Sequence, residues 1–269
     1  MHQTQMIEIF AAINQDNDIN INGQLITVLV GAVSGFIAAA TTNLVNLFFK
    51  QQETDAQNRL KYLNPLRLAL EETYNRIYEI KTRLEKRKAE ESIFMEIKNE
   101  EIANQNPDWF IGNGCYLIST CYLIACLFYQ IRKVREDLAY LKLAKGNDTT
   151  LWQLMFRVNR AFAREYGIYY VTQYSIGNDI HISESNRVMA YREFCELIRN
   201  KEKGVWLNGL LNFCIETGKG RNEQRLDEIL DSIISLSRFL EKSMKSDASI
   251  KARMLSEELP FSKRMSHLK

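Results

Sequence analysis

The sequence contains few of the residues that interrupt helices. Three prolines and twelve glycines occur among its 269 residues, whereas sandwiches and barrels need frequent turns and are richer in both. This shortage argues against an all-β architecture. We therefore predict a mostly α-helical protein.

Recognisable catalytic and metal-binding motifs are also missing. The three histidines and five cysteines show neither CxxC pairing nor metal-ligand spacing. The sequence has no GxGxxG after a strand and no HExxH, and residues 216–220, Glu-Thr-Gly-Lys-Gly, lack the full GxxxxGK[ST] pattern. We interpret that segment as a helix end and a turn. We expect no metal, no cofactor and no catalytic residues, with an enzyme or nucleotide sensor in the helical part as an outside alternative.

One long segment lacks ionisable side chains altogether. It runs from Leu25 to Phe49, and a bilayer core roughly 30 Å thick is crossed by about 20 apolar residues in a helix. We predict a transmembrane helix over residues 25–49.

The residues on either side of this segment differ in charge. Residues 1–24 contain acidic side chains but no Lys or Arg, whereas Lys50, Arg59 and Lys61 follow the span closely. The positive-inside rule then places a short N-terminal segment, 1–24, outside and the rest in the cytosol. Features of a cleaved signal peptide are missing. These flanks predict a single-pass protein of the plasma (inner) membrane, with the lipid bilayer as its first partner.

Small and polar residues share one face of the predicted span. Helices in lipid associate through close backbone approach at small residues and through side-chain hydrogen bonds. This pattern predicts a homo-oligomer, although Gly and Ala are frequent in spans that do not associate. The stripe consists of Gly31, Ser34, Gly35, Ala38, Thr42 and Asn46.

Apolar residues at three-and-four spacing recur beyond the span. They predict a cytosolic helical bundle over residues 50–242, followed by a polar C-terminal tail, 243–269. Asn64 and Pro65 have the pattern of an N-cap and first helical residue, so we expect a helix to begin there. The uncharged stretch 110–128 is long enough for a second span. We predict a central buried helix instead, because a second crossing would place Arg132 and the C-terminal half outside.

A second candidate site is a row of arginines on one predicted helix. Arg157, Arg160 and Arg164 follow helical spacing, and guanidinium groups bind phosphates and other anions bidentately. The row therefore suggests an anionic small molecule or protein partner. The alternative, which we favour, is that these arginines pair with an acidic helix through Asp227, Glu228 or Asp231.

Residues 168–183 are the one segment with β propensity. Ile, Tyr, Val and Thr flank a Gly-Asn-Asp turn, which suggests a short hairpin, with helix and loop left open. His181 and the tyrosines of this segment either pack in the core or line a pocket.

Two functional hypotheses follow. The first is a homo-oligomeric, non-enzymatic membrane effector or channel that is gated when its cytosolic bundle binds a ligand. The second is a scaffold or adaptor for which the span is only an anchor. The net charge of +2 leaves no basic footprint, so no nucleic-acid partner is expected.

Overall fold

The computed structural model describes residues 39–50, 60–87, 91–141, 147–163, 167–221 and 223–245, together with Glu53 and Gln57. The predicted outer segment 1–24 and residues 246–269 of the predicted tail lie outside the described residues. The chain divides into two compact units, Met1–Thr54 and Asp55–Lys269.

The described residues are mostly helical, so the predicted fold class is confirmed at that level. In the first unit, residues 39–50 form helix α1. In the second unit, the helices are α2 (60–86), α3 (Asn99–Ile102), α4 (Pro107–Ile111), α5 (Cys115–Leu141), α6 (Asn147–Ala163), α7 (Tyr170–Asp179), α8 (Tyr191–Arg199), α9 (Asn208–Gly218) and α10 (Glu223–Lys245), with a 3-10 turn at Gly204–Leu207 and strands β1 (His181–Ile182) and β2 (Arg187–Val188).

Helix α5 lies at the centre of the second unit, where α4, α6, α7, α8 and α9 pack around it. Within the described part of the chain, Cys115–Asp137 is the one helix whose length and composition would allow it to cross a membrane, with a hydropathy of 1.3. Of the 18-residue window that gives this helix its apolar character, 56% is buried inside the protein. The sequence predicted this helix to be the buried centre of a bundle. Its buried apolar residues include Leu117, Cys121, Ile124, Phe128, Ile131 and Val134.

Helix α2 packs its apolar stripe into the core and is joined to α5 by polar contacts. Arg76 Nη1 donates to the hydroxyls of Ser119 and Thr120, at 2.8 Å each. Thr73 Oγ1 donates to the carbonyl of Leu123 at 3.3 Å. The apolar residues that recur along it at three-and-four spacing are all buried: Leu66, Leu70, Tyr74, Ile77, Ile80 and Leu84.

The predicted helix start at Pro65 is wrong, because residues 60–86 are helical throughout. A proline inside a helix removes the hydrogen bond from its missing N–H to the carbonyl four residues earlier, at Lys61. Leu63 and Leu66, on either side of the proline, are completely buried. Packing of these two side chains therefore offsets the lost hydrogen bond and carries the helix through the proline.

The predicted hairpin is displaced along the chain. Tyr170–Asp179 is helical and contains the expected Gly-Asn-Asp turn, whereas the two short strands pair after it, with His181 opposite Val188. Local β propensity is overridden here by packing of α7 on α5. A Cβ at Gly177 would lie 3.2 Å from the backbone N of Tyr129, so this glycine allows the close approach of the two helices.

The C-terminal helices match the predicted apolar stripes more closely. Helix α9 ends at Gly218, and Gly220 then takes a φ of +85°, which confirms the predicted helix end and turn. Helix α10 packs mainly on α6. Its predicted inward residues are all buried: Leu226, Ile229, Ile233, Leu236 and Leu240.

Candidate functional site

The predicted stripe of small and polar residues falls only partly within the described chain. Thr42 and Asn46 are exposed on α1, and their spacing of four places them on one face of the helix. The rest of the stripe lies outside the described residues: Gly31, Ser34, Gly35 and Ala38.

Helix α1 leaves large apolar side chains uncovered. Every residue from 41 to 50 is exposed, and Lys50 is the first ionisable side chain. Leu44 is 66% exposed, on the opposite side of the helix from Thr42 and Asn46. The large apolar residues of α1 that are at least half exposed are Leu44, Val45, Leu47, Phe48 and Phe49.

Two members of the arginine row lie beside the acidic helix α10. Arg157 and Arg160 line a cleft of about 330 Å³ between the two helices, and Glu228 and Asp231 line the same cleft. Arg164 lies outside the described residues. The third proposed acidic partner is engaged elsewhere, because Asp227 forms an ion pair with Lys81 of α2.

The composition of this cleft determines what it could bind. Two guanidinium groups and two carboxylates share it, together with Ala161 and Ser232. A free anion entering between the arginines would meet the carboxylates as well, and like charges at short range oppose binding. Between the two helices, the cleft therefore suits the packing of a basic helix on an acidic one better than a free phosphate, whereas the exposed side chains of Arg157 and Arg160 can also be reached from outside the cleft.

A row of stacked aromatic rings lies on the outer side of the same helix. Trp152 and Phe156 stack with centroids 5.6 Å apart and planes at 13°, and Phe156 stacks on Tyr170 of α7 at 5.5 Å and 13°. Trp152 and Phe156 are each 39% exposed. We call Trp152, Phe156 and Tyr170 the aromatic ladder.

A cation is held against this ladder. Arg135 of α5 is exposed, and its guanidinium carbon lies 5.9 Å from the ring centroid of Trp152 and 5.2 Å from that of Tyr174. Cation–π contacts of this kind orient the guanidinium. The ladder therefore presents aromatic faces and a positive charge together at the surface.

Sequence reasoning did not identify the ladder. The spacing of Trp152 and Phe156, four residues apart and off the buried stripe, was an available signal for an exposed aromatic face. Their stacking on Tyr170 was not predictable, because the sequence left residues 168–183 open between hairpin, helix and loop.

A second polar cleft, of about 170 Å³, lies beside β1. His181 stacks on Tyr129 with centroids 5.3 Å apart, and its Nε2 lies 3.2 Å from Oδ1 of Asn186. Lys133 Nζ donates to the hydroxyl of Tyr129 at 3.2 Å. Of the two alternatives for His181, the sequence favoured core packing, whereas the structure places this side chain in the lining of a cleft, together with Tyr129 of α5.

The segment that faintly resembles a phosphate loop has its backbone donors occupied. The N–H groups of Lys219, Gly220 and Arg221 donate to carbonyls of the preceding helical turn at 2.9–3.2 Å. A phosphate-binding loop requires such N–H groups to point at the ligand. This segment is a helix end.

The five cysteines are free thiols, and two of them on α5 are poor nucleophiles. Burial and the neighbouring Cys214 thiol raise the pKa of Cys121 well above its usual range. Burial raises the pKa of Cys126 to about 12. Because the thiolate is the reactive species, these thiols stay protonated and unreactive at neutral pH.

No group of three or more His, Cys, Asp or Glu side chains that could hold a metal ion occurs in the described part of the chain. Comparison of the chain with protein-family models, curated proteins and solved structures found no match in any of the three. The class that the fold itself defines is a helical bundle.

Proposed function

We propose that the protein is a homo-oligomeric, non-enzymatic membrane effector. Residues 25–49 cross the bilayer with the N-terminus outside, and the helical bundle lies in the cytosol, where it binds a ligand or partner and regulates the span. The carrying observation is the uncovered apolar helix α1.

The exposed side chains of α1 require an apolar environment. A hydrophobic helix face is covered either by protein or by lipid, and five large apolar side chains of α1 are at least half exposed in this chain: Leu44, Val45, Leu47, Phe48 and Phe49. Full burial of a large apolar side chain stabilises by about 1.5–3 kcal/mol, so covering five half-exposed ones is worth on the order of 5 kcal/mol. Hydrocarbon supplies that cover without a second protein.

The charge distribution supports the orientation. The first 24 residues contain no Lys or Arg, and the first Lys or Arg of the sequence is Lys50, directly after the span, which favours a cytosolic bundle. Self-association is supported by Thr42 and Asn46, which share one face of α1 and continue the small-residue stripe of the sequence. A narrow path along that stripe would make the oligomer a conduit that the bundle opens or closes.

The oligomer and the conduit are tested together. The full chain is purified in mild detergent, its particle mass is measured by light scattering, and ion flux is recorded after reconstitution in liposomes. A tetramer or larger ring that passes ions supports the proposal, whereas a monomer without flux contradicts it. A dimer without flux supports the scaffold alternative, in which an unrelated anchor replacing residues 1–49 would restore function.

Two matched variants locate the association face. Gly35→Leu places a leucine on the stripe, and Val33→Leu places the same side chain on the opposite face, where large apolar residues already lie. The proposal expects a lower particle mass for Gly35→Leu and an unchanged mass for Val33→Leu. Equal masses for both variants would remove the stripe from the account.

A further inference from the structure

The outer face of α6 carries two kinds of exposed side chain that lie next to each other around the helix. Trp152 and Phe156 form one row, and Arg157 and Arg160 form the adjacent row; all four are exposed. The buried stripe of the helix occupies the opposite side, with Leu151, Met155, Val158 and Phe162. Aromatic and basic rows side by side on one helix are typical of helices that lie in a membrane interface.

The surface continues beyond α6. Tyr170 extends the ladder onto α7, and its sequence neighbours Tyr169 and Val171 are 75% and 81% exposed. Arg135 adds a third guanidinium, placed over Trp152. Trp and Tyr combine an apolar ring with a polar N–H or O–H, which is why they concentrate at the headgroup level of membranes.

We propose that this face docks on the surface of the lipid bilayer, with Trp152 and Phe156 inserted at the headgroup–acyl boundary and Arg135, Arg157 and Arg160 bound to lipid phosphates. The inference rests on the proposed function in one respect, namely that the span holds the bundle near a bilayer.

Chain length makes the docking feasible. About ten residues separate the last residue of the predicted span, Phe49, from Leu60, where the described part of α2 begins, and such a segment covers at most roughly 35 Å when fully extended. The bundle therefore stays within reach of the bilayer, and an exposed face with interfacial side chains meets lipid at a high local concentration.

The rings are expected to contribute more than the charges. Glu228 and Asp231 share the cleft with Arg157 and Arg160, so the net positive charge of the face is small. Lipid phosphates are present in zwitterionic as well as anionic bilayers, and guanidinium groups bind them in both. Docking should therefore persist in zwitterionic vesicles.

The three tryptophans of the chain provide a direct test. Trp109 is 7% exposed, whereas Trp206, outside the ladder, is 64% exposed. The full-length variants Trp206→Phe and Trp152→Phe are reconstituted in phosphatidylcholine vesicles in which a fraction of the lipid is brominated at a shallow or a deep acyl position. In Trp206→Phe the surface emission comes from Trp152, and Trp152→Phe is its matched control.

The proposal expects loss of emission from Trp152 with shallow bromine and less loss with deep bromine. Adding Arg157→Gln and Arg160→Gln to Trp206→Phe should reduce that loss, and an unchanged loss would remove the two arginines from the proposal. Emission from Trp152 that bromine does not change overturns the docking. A third outcome would overturn the docking in favour of a second copy of the chain. In that case Trp152 is not quenched by bromine but is protected from aqueous iodide, and this protection increases with the protein-to-lipid ratio.

Anchoring is measured separately on the same samples, by flotation with vesicles after alkaline extraction. If a variant floats with the vesicles but its Trp152 is not quenched, the span still anchors the chain and only the docking is refuted. A chain that does not float refutes the proposed function first.

Discussion

Phe162 is the side chain whose removal tests the packing of the bundle most sharply. It is completely buried on α6, its ring meets Phe128 of α5 edge-on at 5.2 Å, and it lies 5.8 Å from Phe213 of α9. One ring thus holds three helices together. Replacement by alanine removes its apolar contacts, two aromatic contacts and the volume of the ring from a core that cannot fully collapse around the gap.

We expect Phe162→Ala to lower the free energy of unfolding by about 3–5 kcal/mol. For a domain of this size, each kcal/mol shifts the melting temperature by about 2–4 °C, so a fall of roughly 6–20 °C follows. The measurement is thermal unfolding of the full chain in mild detergent, followed by circular dichroism at a helical wavelength.

Tyr169→Ala is the matched control, because Tyr169 is also aromatic and its side chain is mostly exposed beside α7. It should change the free energy of unfolding by no more than about 0.5 kcal/mol. Equal destabilisation by Phe162→Ala and Tyr169→Ala, or a loss below about 1 kcal/mol for the first, would refute the three-helix junction.

Three further substitutions test separate features of the second unit. Gln173→Leu removes a buried amide that donates to two backbone carbonyls at 2.7 and 2.9 Å, and we expect the free energy of unfolding to fall by about 1–3 kcal/mol. The control Gln153→Leu changes an exposed glutamine and should leave the free energy of unfolding unchanged. Equal melting curves for the two variants would contradict this prediction. Hydrogen bonds from Arg187 and from a backbone N–H lower the pKa of Glu193 to about 2. The carboxylate of Glu193 therefore stabilises the fold at pH values above the usual pKa of a glutamate. This contribution is lost as the pH falls from about 4.5 towards 2. The stability difference between the wild type and Glu193→Gln, measured by chemical unfolding, should therefore be largest near neutral pH and shrink in acid, and a difference independent of pH would argue against the pairing. Gly220→Ala places a side chain at a φ of +85° and should cost about 1–2 kcal/mol, seen as a lower melting temperature; an unchanged melt would mean that the turn relaxes freely.

The helices of the core were predictable because their apolar residues recur at helical spacing. Wherever the structure describes the side chains, the apolar stripes of α2, α5, α6 and α10 are buried. Burial of a continuous apolar stripe is the largest favourable contribution to folding, so local pattern and tertiary structure agree wherever a helix packs along its whole length.

Two elements were not predictable, because contacts between distant residues decide them. Pro65 signals a helix start locally, but the burial of Leu63 and Leu66 carries the helix through it. Residues 170–179 favour strand by propensity, yet close packing at Gly177 against α5 makes them helical. Strand propensity depends strongly on such surroundings.

The candidate sites were predictable to different degrees. The placement of Arg157 and Arg160 opposite Glu228 and Asp231 follows from charge and helical spacing, and the sequence stated it as an alternative. The aromatic ladder required knowledge of how α6 and α7 meet, since Tyr170 stacks on Phe156 only because residue 170 lies in a helix. Ring stacking across two elements leaves no periodic signal in the sequence.

The central claim is that residues 25–49 cross the membrane once and leave the bundle in the cytosol. The most direct measurement is the exposure of a C-terminal epitope to protease added outside intact cells. The account predicts an epitope that is protected until the cells are opened, on a chain that stays with the membrane after alkaline extraction. Digestion of the epitope on intact cells, or recovery of the full-length chain in the soluble extract, would contradict it.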